Sequence, residues 1–394
     1  MKNILLFSAL FIFTFGFSQT TLIPDPNFEQ ALIYLGYDTA PINGSVPTAN
    51  ISSVTNLNVN SRNISDLTGI EDFTALTNLY CDNNQLTSID VSNNNALTSL
   101  SCNNNQLTSL DVTNNTALYL LYCDNNQLTS LDLSNNPALS NFTCTNNQLT
   151  SLDVSNNPAL TYFRCKNNQL TSLDVSNNPV LELMELTDNQ LTSLDVSNNT
   201  YLVNFYFGEN QLTDIDLSNN TSLNGVDCRN NQLTSLDVSN NIALYRLSCL
   251  DNQLTSLDVR NGNNTNFNPG NFNSTNNPNL TCIYVDDADY SNANWTNIDP
   301  NSTFVNNEAE CEALSIGDNA LELDVTIYPN PTDNYLFIEG NKNPISISIY
   351  NLLGAEVITK STTNKINVSE LPKGIYIIKI SDGIGQTDRK FIKN

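Results

Sequence analysis

Apolar residues recur every 21 positions between Leu79 and Val259, in nine near-copies of one unit. The pattern is clearest in Leu118-x-x-Leu121-x-Cys123-x-x-Asn126-x-Leu128-x-x-Leu131-Asp132-Leu133, after which Ser-Asn-Asn leads into the next copy. A fixed period of this size marks a solenoid, in which each coil buries its apolar side only against its neighbours. Each unit divides into two similar half-turns, and neither is long enough for a helix. Both sides of the coil are therefore expected to be extended, giving a mainly β, flattened solenoid of parallel coils. At ~4.8 Å per coil, nine coils make a stack of about 43 Å.

Aligning the copies assigns a task to each repeated position. Leu at 86, 107, 128, 149, 170, 191, 212, 233 and 254 is an inward column. Asn at 84, 105, 126, 147, 168, 189, 210, 231 and 252 never varies, and a second Asn column runs through 94, 115, 136, 157, 178, 199, 220 and 241. Amides at tight turns satisfy backbone groups of their own and adjoining coils, so both columns read as scaffold. Cys81, Cys102, Cys123, Cys144, Cys165, Cys228 and Cys249 share a column with Leu186 and Phe207. A position that also accepts Leu and Phe is an apolar slot, which predicts buried free thiols. Nine aspartates at 90, 111, 132, 153, 174, 195, 216, 237 and 258 form another column. If stacked they repel by ~1 kcal/mol per neighbouring pair. Hydrogen bonds from nearby Ser and Thr are the favoured offset and bound cations the alternative.

The flanks differ. Lys2 followed by the apolar run from Ile4 to Phe17 reads as a signal peptide, residues 1–19, cut near Gln19. Residues 20–60 read as an N-terminal cap, with Asp25 as N-cap, Pro26 at the first helical position, Phe28, Leu32 and Leu35 at helical spacing, and Gly36 as the stop. The repeats then occupy 61–259. From Arg260 to Asn279 the period is lost, and Leu280 to Val285 returns as a final strand inside an irregular last coil and cap, 260–311. Cys282 and Cys311 lie outside the period and are expected to form one disulfide. Asp286, Asp287 and Asp289 are weak calcium candidates beside the alternative of a solvated acidic turn. Residues 312–321 read as a linker. In 322–394 short apolar runs separated by Asn, Pro and Gly turns predict a small Ig-like β-sandwich.

The repeated unit resembles the leucine-rich-repeat family, in particular its short bacterial nested class with consensus LxxLxCxxNxLxxLDLxxN. The C-terminal segment resembles the type A sorting domain of the type IX secretion system of Bacteroidota. That likeness rests on Tyr328-Pro329-Asn330-Pro331, Ile349-Tyr350-Asn351-Leu352-Leu353-Gly354, Leu371-Pro372-Lys373-Gly374-Ile375-Tyr376 and Lys390-Phe391-Ile392-Lys393. It implies a partner, the type IX machinery engaging residues 322–394, and export across the outer membrane to the cell surface or the extracellular space.

Charge and composition narrow the function. The net charge is −25, and residues 320–394 carry eight basic and eight acidic side chains, so the excess lies in the first 319 residues. A body this acidic repels nucleic acid. The 394 residues contain no histidine, which removes Ser–His and Cys–His nucleophilic sites. Nothing calls for a cofactor apart from the calcium candidates, and beyond the signal peptide no run is long enough to span a membrane. If uniform columns are scaffold, ligands meet the variable ones. These are the outward positions around the Cys column, the side that faces ligands in the leucine-rich repeats this chain resembles. The candidates there are Tyr80, Tyr122, Tyr162, Arg164, Lys166, Glu185, Tyr206, Asp227, Arg229 and Arg246, rich in the Tyr and Arg that dominate binding hot spots. The leading reading is a surface-displayed, non-enzymatic interaction protein that binds an extracellular protein or glycan, with adhesion as the expected role. A passive surface or matrix component is the alternative, and a hydrolase the third class.

Overall fold

From Asn78 to Ser248 each coil places one three-residue strand in a single parallel sheet, with successive strands 21 residues apart. In a computed structural model that describes residues 19–317, 325–340, 346–359, 364–381 and 386–394, the chain forms two compact units, 1–306 and 307–394. The proposed signal peptide lies outside the described residues, apart from Gln19.

The first unit carries an 11-stranded sheet from Asn56–Asn58, through Asn78–Tyr80, Leu120–Tyr122 and Tyr162–Arg164, to Arg246–Ser248 and Phe272–Asn273. Its register is regular, Leu121 facing Phe142 and Phe163 facing Met184. The middle residue of each strand points inward, and Leu79, Leu100, Leu121, Phe142, Phe163, Met184 and Phe205 are all fully buried. The Cys column lies in the same core. Its seven thiols are free and buried, and most donate Sγ–H to a carbonyl of the next coil, as Cys123 does to Thr143 O at 3.3 Å. Burial in apolar surroundings pushes up the thiols of Cys81, Cys102, Cys123, Cys144, Cys228 and Cys249, the last to about 12.

The invariant Asn column joins the coils. Asn126 Nδ2 donates to Cys123 O of its own coil and Cys102 O of the preceding one, while its Oδ1 accepts Leu107 N–H at 3.0 Å. The residue before each of these amides has positive φ, from Asn83 at 56° to Asn276 at 60°. Asn and Asp tolerate that left-handed conformation best. Glu209, at φ 55°, is the one departure among them. The second Asn column bridges the opposite turn, Asn136 Nδ2 reaching Val112 O and Asn115 O.

Three expectations need correction. The Asp side is not extended throughout. Among the described residues its strands are only Ser235–Asp237, Ser256–Asp258, Cys282–Tyr284 and Thr303–Val305. They form a second sheet that reaches inward from the C-terminal cap, and further up the stack that side has no paired strands. Nor is the period lost after Arg260. Phe272–Asn273 pairs with Leu247–Ser248, and Asn277 repeats the amide bridge by accepting Leu254 N–H and donating to Cys249 O. The coil is lengthened by four residues, and this insertion displaced the pattern from its frame. Finally, 312–321 is not a plain linker. Residues Glu308–Gly317 form a helix, with Asn307 accepting Glu310 N–H and acidic residues in the first turn where the helix dipole favours them. Residues 318–321 lie outside the described ones.

The N-terminal cap follows its sequence signals. Helix Pro26–Leu35 starts with Asp25 accepting Asn27 and Phe28 N–H and stops at Gly36 with φ 81°. The other Asp25 oxygen takes Ser65 N–H, Ser65 Oγ–H and Asp66 N–H, which ties the cap to the first coils. Phe28 and Leu32 are buried, whereas Leu35 is 37 % exposed because Ala31 and Glu29 complete the inward stripe. The second unit is a sandwich of two antiparallel sheets around Leu336, Ile338, Ile349, Ile378 and Phe391. Its strands follow the apolar runs, with Lys365–Asn367 in addition.

Candidate recognition surface

The outward residues of the 11-stranded sheet alternate with buried ones, so each strand presents its first and third side chains. Tyr80, Tyr122, Arg164, Glu185, Tyr206 and Asp227 are third residues and stand in one column. Tyr162 and Arg246 are first residues, and Lys166 and Arg229 lie two positions past the strands. Arg246 is exposed, Asp227 is buried, and the other eight are half-buried.

The structure gathers these residues into two groups. Arg164 sits 4.8 Å from the Tyr162 ring centroid and 3.2 Å from Glu185. Arg229 lies 3.4 Å from Glu209 and 3.5 Å from Asp227, and Arg246 stands 6.0 Å over Tyr206. Tyr206 and Arg246 approach across the intervening strand because that strand offers Gly225, where an added Cβ would stand 3.5 Å from Tyr206 Oη and 3.1 Å from Asn204 Oδ1. Tyr80, Tyr122 and Lys166 belong to neither group. Beside the first group, Asp124 accepts Thr145 N–H and Thr143 Oγ–H, yet burial holds its carboxyl above the usual carboxylate range. Burial also raises the Tyr162 and Tyr206 phenols. Much of the basic cluster is thus neutralised by its own neighbours.

A depression of about 480 Å³ lies at the edge where the coils enter the sheet. Its walls are Asn141, Tyr162, Leu183 and Asn204 from the first strand position, and Tyr119, Thr161, Glu182 and Val203 from the position before it. Sequence reasoning missed this second column, although it varies as freely as the strand positions. The large exposed apolar residues within the repeats, Tyr119, Val180, Tyr201, Ile242 and Tyr245, all fall within two residues of the Leu that opens each unit, along this same rim.

The opposite side holds the aspartates. Each accepts the backbone N–H two residues on, as Asp132 does from Ser134 at 2.9 Å, and in the column from Asp90 to Asp216 hydroxyls such as that of Thr113 on Asp111 pull the carboxyls down. Asp286 binds Gly262 and Asn264 N–H, Asp287 caps helix Ala288–Asn294, and Asp289 lies in that helix's first turn. Asp286 and Asp287 are thus engaged separately, and no metal-holding group of three or more such side chains occurs among the described residues. Cys282 and Cys311 are disulfide-bonded.

Residues 326–394 match the secretion system C-terminal sorting domain. The tail belongs to that family. It marks the chain for export by the type IX secretion system to the cell surface or extracellular space, and among the described residues no helix is long and apolar enough to cross a membrane. Among solved structures, the chain is similar to an internalin (inlF) from Listeria monocytogenes, with 24 % identity, a TM-score of 0.60, and coverage of 72 % of this chain and 92 % of that one. It is also similar to the APL1 leucine-rich repeat domain, with 20 % identity, a TM-score of 0.52, and coverage of 74 % and 84 %. These likenesses show the fold, a leucine-rich-repeat solenoid. No curated protein matches.

Proposed function

We propose that the exported solenoid is a recognition protein that binds an extracellular protein or glycan through the outward face and rim of its 11-stranded sheet, and that it performs no catalysis. One observation carries this reading. The invariant Leu and Asn columns are buried, with the amides bridging the coils, and the aspartates are engaged by their own turns, whereas the variable positions form a continuous surface that carries tyrosines and arginines. Tyr and Arg supply large contact areas at low entropic cost. The test is capture of the labelled full chain by cells and extracellular material. Replacement of Tyr122, Tyr162, Arg164 and Tyr206 by Ala lowers capture while leaving the melting curve in place. Unchanged capture refutes the reading.

A passive surface component is the second reading, favoured by the ion pairs Arg164–Glu185 and Arg229–Glu209, which satisfy charges within the face. It predicts no saturable binding by either form of the chain.

A further inference from the structure

We propose that the rim depression is a binding site for an uncharged oligosaccharide. This rests on the recognition reading above and specifies its ligand. The walls supply what such a ligand needs. A pyranose presents C–H bonds on its faces and hydroxyls around its edge, so it is held by aromatic faces beside hydrogen-bonding groups of both kinds. Tyr119, 55 % exposed, and Tyr162 supply the rings. Asn204 Oδ1 accepts Tyr206 Oη–H at 3.0 Å, which orients the amide and leaves its Nδ2 as a donor toward the depression. The Asn141 amide offers two donors and an acceptor, and the Glu182 carboxylate accepts.

Other ligand classes fit less well. Glu182 is the one charged group in the lining, and the body around it is acidic, so phosphorylated, sulfated or sialylated ligands are repelled. A calcium ion needs six to eight oxygen ligands, far beyond one carboxylate. A peptide cannot add as a strand, because the rim is not a sheet edge and the backbone groups there are bonded from coil to coil, as Glu182 and Leu183 N–H are to Thr161 O. The walls run from the coil of Tyr119 to that of Asn204, about 19 Å at ~4.8 Å per coil, which suits a short chain of linked sugars better than a single ring.

The test is a glycan array carrying uncharged hexose and N-acetylhexosamine oligosaccharides beside sialylated and sulfated ones, probed with the full chain. Uncharged members bind, and the free sugar competes. Tyr119→Ala and Asn141→Ala each weaken binding by about tenfold, the scale of one well-made contact, while Asp174→Asn on the opposite side has no effect. Unshifted melting curves separate loss of contact from loss of fold. No binding of uncharged members, binding only of charged ones, or binding indifferent to both rim variants overturns the proposal. The outcome also separates the two readings. If capture by cells still depends on Tyr206 but no uncharged sugar binds, the saccharide assignment falls and recognition stands; if neither binding is seen, both fall.

Discussion

Replacing Asn147 by Ala tests the principle that amide bridges hold the stack together. Asn147 is 8 % exposed; its Nδ2 donates to Cys123 O at 3.0 Å and Cys144 O at 3.1 Å, and its Oδ1 accepts Leu128 N–H at 3.0 Å. Both carbonyls keep a second donor, from Asn126 and Asn168. Leu128 N–H has no other partner and is orphaned in the core. An orphaned buried donor costs ~1–3 kcal/mol, and each lost shared bond adds about 0.5–1 kcal/mol, so the total is about 2–5 kcal/mol. Asn157 in the second column is a graded comparison. Its Nδ2 donates to Leu133 O and Asn136 O, but its Oδ1 is buried without a hydrogen-bond partner, so its removal orphans no donor. Asn135 is exposed and makes one bond, at 3.2 Å, to Thr113 O; its loss costs below ~0.5 kcal/mol. Guanidinium unfolding of the three Ala variants should rank them Asn147, Asn157, Asn135 in order of destabilisation. Equal midpoints for Asn147→Ala and Asn135→Ala refute the bridging account. A lowered m-value for Asn147→Ala would show that one end of the stack unfolds separately, since repeat arrays are only approximately two-state.

Four further outcomes follow from the geometry. The seven column thiols, all free and buried, stay inert to a thiol-specific disulfide reagent at pH 8 and become titratable in denaturant; rapid native labelling refutes the core placement. Hydrogen bonds from Ser65, Phe28 and Asn27 outweigh burial and lower the Asp25 carboxyl below 3.8. Its contribution is therefore complete above that pH and disappears as pH falls through the lower folded value, so acid melts of wild type and Asp25→Asn converge at low pH and diverge above it. Gly225→Ala sets a methyl 3.1 Å from Asn204 Oδ1 and 3.5 Å from Tyr206 Oη; fluorescence-detected ligand binding weakens while the melting temperature moves little. Gly69 has φ 103°, and a Cβ there would stand 2.6 Å from Leu22 O. Gly69→Ala therefore costs at least about 2 kcal/mol in denaturant melts.

Much of this protein is legible in its sequence because a stack of coils repeats one local problem. Each coil can bury Leu118, Leu121 and Cys123 only on copies of itself, so column assignment follows from counting 21 residues, and invariance at Asn126 reports a buried amide without any coordinates. The cap helix was equally local, signalled by Asp25, Pro26 and Gly36. What the sequence left open depends on contacts between coils. Four extra residues hid the coil of Phe272 and Asn277, because counting fails at an insertion whereas a hydrogen bond does not. Pairing on the Asp side reaches inward only as far as Ser235, since it depends on neighbouring strands at the cap and not on the repeated tripeptide. The surface changed most. Tyr and Arg along the strands are legible as an outward, variable row, but only packing revealed that Arg164 and Arg229 are paired with Glu185 and Glu209. Only packing, too, revealed that Tyr119, Asn141 and Asn204, drawn from separate coils, share the walls of one depression. Periodicity fixes which residues are inside; which outside residues remain free to meet a ligand is decided by their neighbours in space.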